Sequence, residues 1–214
     1  MTIRVLFIGE GPSDSGIAPQ VENLAARLSI AVAITDPDLG RLREPPGRAV
    51  AEKLKAALAI GGEYDLIVVH RDADRDGRDA RLTEIATAVQ AASAGSCYSA
   101  VIPVRMTEAW LLTDESELRR VAGNPKGTTQ LDLPKPARVE AIPDPKKLLM
   151  EILGIASGLS GRKLVKFHDR FSQHRRQLLE GLDPDGSIGV VPSWQCFVTD
   201  LESALKAAAV REPS

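Results

Sequence analysis

Three carboxylates, Asp72, Asp74 and Asp76, stand at alternate positions directly after the apolar run Asp65–Val69. That run reads as a buried strand, because β-branched and apolar residues follow one another without polar interruption. Like charges gathered where a core strand surfaces repel one another unless a cation sits among them. Oxygen-only donors suit a hard ion such as Mg²⁺, Mn²⁺ or Ca²⁺ rather than zinc. A second acid occupies a similar place: Ile3–Ile8 reads as a strand and runs into Gly9-Glu10-Gly11-Pro12-Ser13-Asp14. The glycines there let the backbone turn and approach a ligand closely.

These acids need elements to bring them together. Ile17–Leu28 has helical spacing, Ile30–Ile34 reads as a strand, and Ala49–Ile60 reads as a helix stopped by Gly61-Gly62. Ala80–Ala92 is expected to be helical, and Tyr98–Val104 a strand whose Pro103 suits a sheet edge. Thr107–Leu112 and Glu115–Val121 look helical. Strands alternating with helices define an α/β fold with a largely parallel, Rossmann-like sheet flanked by helices. In such sheets sites lie outside the carboxyl ends of the strands, so Glu10 and the Asp72/Asp74 pair converge if their strands are neighbours. Residues 1–122 form this core. Residues 123–214 begin with an irregular Pro- and Lys-rich stretch and continue as a C-terminal helical extension, with helices over Lys146–Leu153, Gln173–Leu182 and Ser193–Ala209. The extension is expected to pack on the core as one compact domain, with a frayed tail at Glu212-Pro213-Ser214.

Bulk properties narrow the classes. Hydrophobic residues make up 43% and charged residues 26%, as in ordinary globular proteins, and the net charge of −2 does not mark a strongly basic nucleic-acid binder. Aromatics at 4% argue against recognition by extensive base stacking. Cys97 and Cys196 form no CxxC, so neither a disulfide framework nor a structural zinc is expected. No apolar run reaches membrane-spanning length, and the first residues lead into a strand rather than a secretory leader, so a cytoplasmic protein without membrane partners is expected.

Two rival motifs fail. Asp72-x-Asp74-x-Asp76-Gly77 matches the first half of an EF-hand loop, but Thr83 stands where a bidentate Glu is required and a strand precedes the loop. A phosphotransferase with Asp72 as nucleophile would want a Thr or Val after the second acid. Glu after a first strand with Asp-x-Asp after a later one resembles the TOPRIM superfamily of topoisomerases, primases and OLD-type nucleases. Here FIGEG carries Glu10 and VVHRDADRDG carries Asp72 and Asp74, while Glu10-Gly-x-x-Asp14 is similar to the EGxxD form of the OLD-type enzymes. Val101–Asp114 and Ile142–Leu149 further resemble small stand-alone TOPRIM-like bacterial proteins, often encoded beside ATPases in phage-defence clusters.

The resemblance implies a Mg²⁺-dependent (or Mn²⁺-dependent) nuclease cutting nucleic-acid phosphodiesters, with an ATPase partner and a role in phage defence. Glu10, Asp72 and Asp74 would hold the first ion, and Asp14 and Glu108 a second. A late lysine, Lys166 or Lys163, would stabilise transition-state charge. The alternative is a non-catalytic or partner-activated TOPRIM-fold metal-binding subunit, and a third reading is a small-molecule phosphohydrolase or nucleotidyl-transferring enzyme. Self-association is open.

Each feature also has a plain structural reading. Thr107 can cap a helix whose Trp110 packs inward, with Glu108 beside it. His70 can end its strand in a satisfied hydrogen bond, and Asp76 suits a turn. Arg71, Arg75 and Arg78 can neutralise the acids or grip phosphate. Arg162–Arg176, with six Lys or Arg and two Phe, can face a nucleic-acid backbone or simply be an exposed amphipathic segment.

Overall fold

A computed structural model describes residues 2–92 and 97–210; the expected tail at 212–214 lies outside the described residues. Four strands, β1 (Thr2–Ile8), β2 (Ala31–Thr35), β3 (Leu66–His70) and β4 (Cys97–Val101), form one all-parallel sheet in the order β2-β1-β3-β4. Val5 pairs with Leu66 and Ile8 with Val69, so β1 and β3 are central neighbours. β4 is an edge strand, as expected, but it ends at Val101, so Pro103 lies beyond it rather than within it.

Alternation along β1 sorts its side chains to two faces. Ile3, Val5 and Phe7 join a core that includes helix α1 (Ala18–Arg27) and the C-terminal helices. Leu6 and Ile8 face α2 (Val50–Ile60) and α3 (Arg78–Ala92) across the sheet. The molecule is therefore a three-layer α/β/α fold. The chain leaves β1 for β2 on one side and returns to β3 on the other, which puts the topological switch point between β1 and β3.

A 3₁₀ turn, Pro12–Ile17, follows β1, and another, Thr107–Leu112, follows β4. Then come α4 (Glu115–Val121), α5 (Pro145–Ser157), α6 (Gly161–His168), α7 (Phe171–Glu180) and α8 (Pro192–Val210). α6 lies in the basic stretch, where no separate helix was expected. The C-terminal helices share the core rather than forming an appendage. Trp110 is fully buried, donates to Ser193 Oγ at 2.8 Å and packs edge-to-face on Trp194 with centroids 5.2 Å apart. Among the described residues no helix is long and apolar enough to cross a membrane.

Candidate functional site

The register carries both acidic loops past the same end of the sheet. Glu10 lies two residues beyond Ile8, and Asp72 three beyond its partner Val69. Gly9 lets the first loop fold back, since a Cβ there would stand 2.9 Å from Asp14 Cβ. The Asp14 carboxylate then accepts from Gly11 N at 2.8 Å.

Asp72 is held from below. Its Oδ1 accepts from both the amide and the hydroxyl of Thr107 at 3.0 Å, and His70 Nε2 lies 3.4 Å away. Thr107 is thus not the helix cap that its sequence suggested; its hydroxyl is spent on Asp72. His70 Nε2 reaches the Thr107 hydroxyl at 3.0 Å, and Nδ1 lies 3.3 Å from Asp14 Oδ2 without hydrogen-bond alignment. Burial opposes a charged imidazole, but Asp14 and Asp72 outweigh it and push the His70 pKa up to about 9. His70 is therefore an imidazolium at neutral pH. The order Asp14–His70–Thr107 is that of an acid–base–hydroxyl triad. Thr107 is completely buried, however, and its hydroxyl donates to a carboxylate, so it anchors rather than attacks.

Asp14 and Glu108 do come together, but around an arginine. Arg175 of α7 places Nη1 2.6 Å from Asp14 Oδ1 and Nε 3.1 Å from Glu108 Oε1. All three side chains are at most 8% exposed. Burial alone would raise the Asp14 pKa; His70 and Arg175 instead hold it well below the usual carboxylate range. A guanidinium thus stands where the resemblance placed a second ion, and a second cation does not fit that pair. Gly16 permits this docking, because a Cβ there would meet Arg176 O and Leu179 Cβ at 2.7 Å each.

Glu10 is on the open side. Arg71 Nη1 pairs with it, and Lys53 Nζ donates to the carbonyls of Gly9 at 2.9 Å and Glu10 at 2.7 Å. Burial and the charge of Asp72 raise the Glu10 pKa, with Arg71 and His70 opposing. Glu10 thus carries its charge at a cost even with Arg71 beside it, and a divalent cation shared with Asp72 would relieve that cost. Among the described residues no three His, Cys, Asp or Glu side chains form a preformed cage. Mg²⁺ keeps several waters and is commonly held by one or two carboxylates, so the Glu10–Asp72 pair suits one hard ion once Arg71 releases Glu10.

The other expected residues lie apart. Asp74 has a left-handed backbone (φ 48°), is half exposed, and stands 3.7 Å from Arg81, which pairs more closely with Asp76 at 2.8 Å. Lys166 is exposed on α6 and touches none of these carboxylates. From the same basic stretch it is Arg175 that enters the site. Lys53 had no distinguishing signal in the sequence, since it is one of two lysines on an ordinary helix. Comparison with protein-family models, with curated proteins and with solved structures gives no match.

Proposed function

We propose that this chain is a TOPRIM-type nuclease that cleaves nucleic-acid phosphodiesters with one Mg²⁺ or Mn²⁺ at Glu10 and Asp72. The observation that carries this reading is the carboxylate pair at the β1/β3 switch point, where burial and mutual repulsion raise the Glu10 pKa. When bound there, the ion would supply a Lewis acid for a phosphoryl oxygen and a site for the attacking water. The chain's own residues do the positioning. Thr107 fixes Asp72, Lys53 fixes the backbone that carries Glu10, and the His70 imidazolium tempers the charge of Asp14 and Asp72. Arg71, once parted from Glu10, is a guanidinium at the site suited to a phosphate oxygen. An ATPase partner and a role in phage defence follow from the resemblance alone.

The pairing of Arg71 with Glu10, and the lack of a preformed cage among the described residues, favour a second reading: a subunit activated, or used only as a metal-binding element, by a partner. Plasmid, linear duplex, single-stranded DNA and RNA are incubated with Mg²⁺ or Mn²⁺ and wild type, Glu10→Ala or Asp72→Ala/Asp74→Ala, with folding followed by thermal melts. Metal-dependent cutting lost in both folded variants supports the nuclease. No cutting, with metal raising the melting temperature of wild type alone, supports the partner-activated subunit. No cutting and no metal effect on melting sinks both.

A further inference from the structure

Beside Glu10, on the β2 side of β1, a cavity of about 480 Å³ opens between three loops. Its walls are the end of β1 with the turn that follows it (Phe7–Pro12), Asp36–Gly40 after β2, and Pro45–Arg48 before α2, with Lys53 and Arg176 reaching in from α2 and α7. The volume lies in the ~300–1,000 Å³ range of small-molecule sites.

The lining is divided by chemistry. Lys53 is half-buried. Two of its three N–H groups serve the carbonyls of Gly9 and Glu10, and the third has no partner among the described residues. Arg48 also makes no hydrogen bond or ion pair among the described residues, so a mobile anion has two cationic partners. Gly11 leaves its backbone open to the cavity, since a Cβ there would meet nothing within 4 Å. Opposite, Asp36 stands at the carboxyl end of β2, while Asp38 is occupied by Arg41 at 2.9 Å. An acid at that position of a doubly wound sheet is placed to accept sugar hydroxyls. Leu39, Pro45 and Pro46 supply an apolar wall for a flat ring.

We infer that this cavity binds a nucleoside 5′-monophosphate unit, with the phosphate at Lys53 and Arg48, the ribose at Asp36 and the base against Leu39 and the prolines. The inference rests on the nuclease reading only in treating the bound unit as part of a substrate strand or its product; the binding itself requires no metal. A chain acting through such a cavity works on a single unpaired nucleotide, at a strand end or in a single strand, rather than on a paired duplex.

The test is calorimetric titration of the full chain in EDTA with AMP, CMP, adenosine and inorganic phosphate. Saturable binding of AMP and CMP at least about tenfold tighter than adenosine or phosphate is expected. Arg48→Ala should weaken nucleotide binding about tenfold, the size of one lost charge-assisted contact. Asp36→Ala should weaken the nucleotides and leave phosphate unchanged. Both residues are exposed, and melts confirm folding. Nucleotides binding no tighter than phosphate, no saturation at millimolar concentration, or affinities unaltered in both folded variants would overturn the inference. Because metal is absent, its failure is separate from that of the nuclease, which is read by Glu10→Ala cutting as well as wild type.

Discussion

Arg175 concentrates the electrostatics of this molecule in one side chain. It neutralises two carboxylates that are 4% and 5% exposed, and Glu108 Oε2 is already without a hydrogen-bond partner among the described residues. Removing one member of a buried ion pair leaves uncompensated charge. Arg175→Met should therefore destabilise the fold by about 3–5 kcal/mol in urea denaturation, and Arg175→Lys by less. pH tests the same network. Asp14 titrates below its unfolded value, so its contribution is present above about pH 4 and is lost as pH falls further. His70 runs the opposite way: its contribution is full below about pH 6.5 and is lost as pH rises toward about 9. At 1.36 kcal/mol per pH unit this amounts to about 3 kcal/mol. Wild-type stability should fall between pH 6.5 and 9, and His70→Gln should flatten that slope. An unchanged slope would show that His70 is neutral in the fold.

At the scale of elements, the site depends on α7 lying against the 3₁₀ turn Pro12–Ile17. Gly16 lies against α7, with no room for a methyl group beside Arg176 O. Gly16→Ala should cost about 1–3 kcal/mol by overpacking, and it should act through displacement of α7 and hence of Arg175. The double variant with Arg175→Met should then be less destabilised than the sum of the singles, because both weaken one contact. Additive losses would separate the two. Gly9 plays the matching part within the first loop, holding Asp14 under the turn.

On the scale of the whole molecule, one core runs from Ile3 to Ala208. β4 and the turn that follows it are covered by α8, and Trp110 is enclosed by Trp194 and Phe197. A chain ended at residue 122 would lose Trp194 and Phe197, expose Trp110, and leave Asp14 and Glu108 without Arg175. Such a fragment should show no cooperative melting, whereas the full chain should unfold in one transition followed alike by tryptophan fluorescence and far-ultraviolet circular dichroism. A folded fragment would make the α/β core an independent unit.

The sequence by itself determined the α/β class, the order of the four strands along the chain and the positions of Glu10 and Asp72 at strand ends. Those features follow from local rules: apolar runs become buried strands, helical spacing becomes helices, and the loop after a strand carries the acid. The edge position of β4 was expected from a proline within the strand, but Pro103 lies two residues past its end at Val101. Only the tertiary structure decided the partners of the acids. Arg175 lies 161 residues from Asp14 in sequence, and within its basic stretch nothing distinguishes it from Arg176. Whether an arginine points to water or between two carboxylates is set by how α7 docks, and helix docking depends on packing over the whole core rather than on neighbours along the chain.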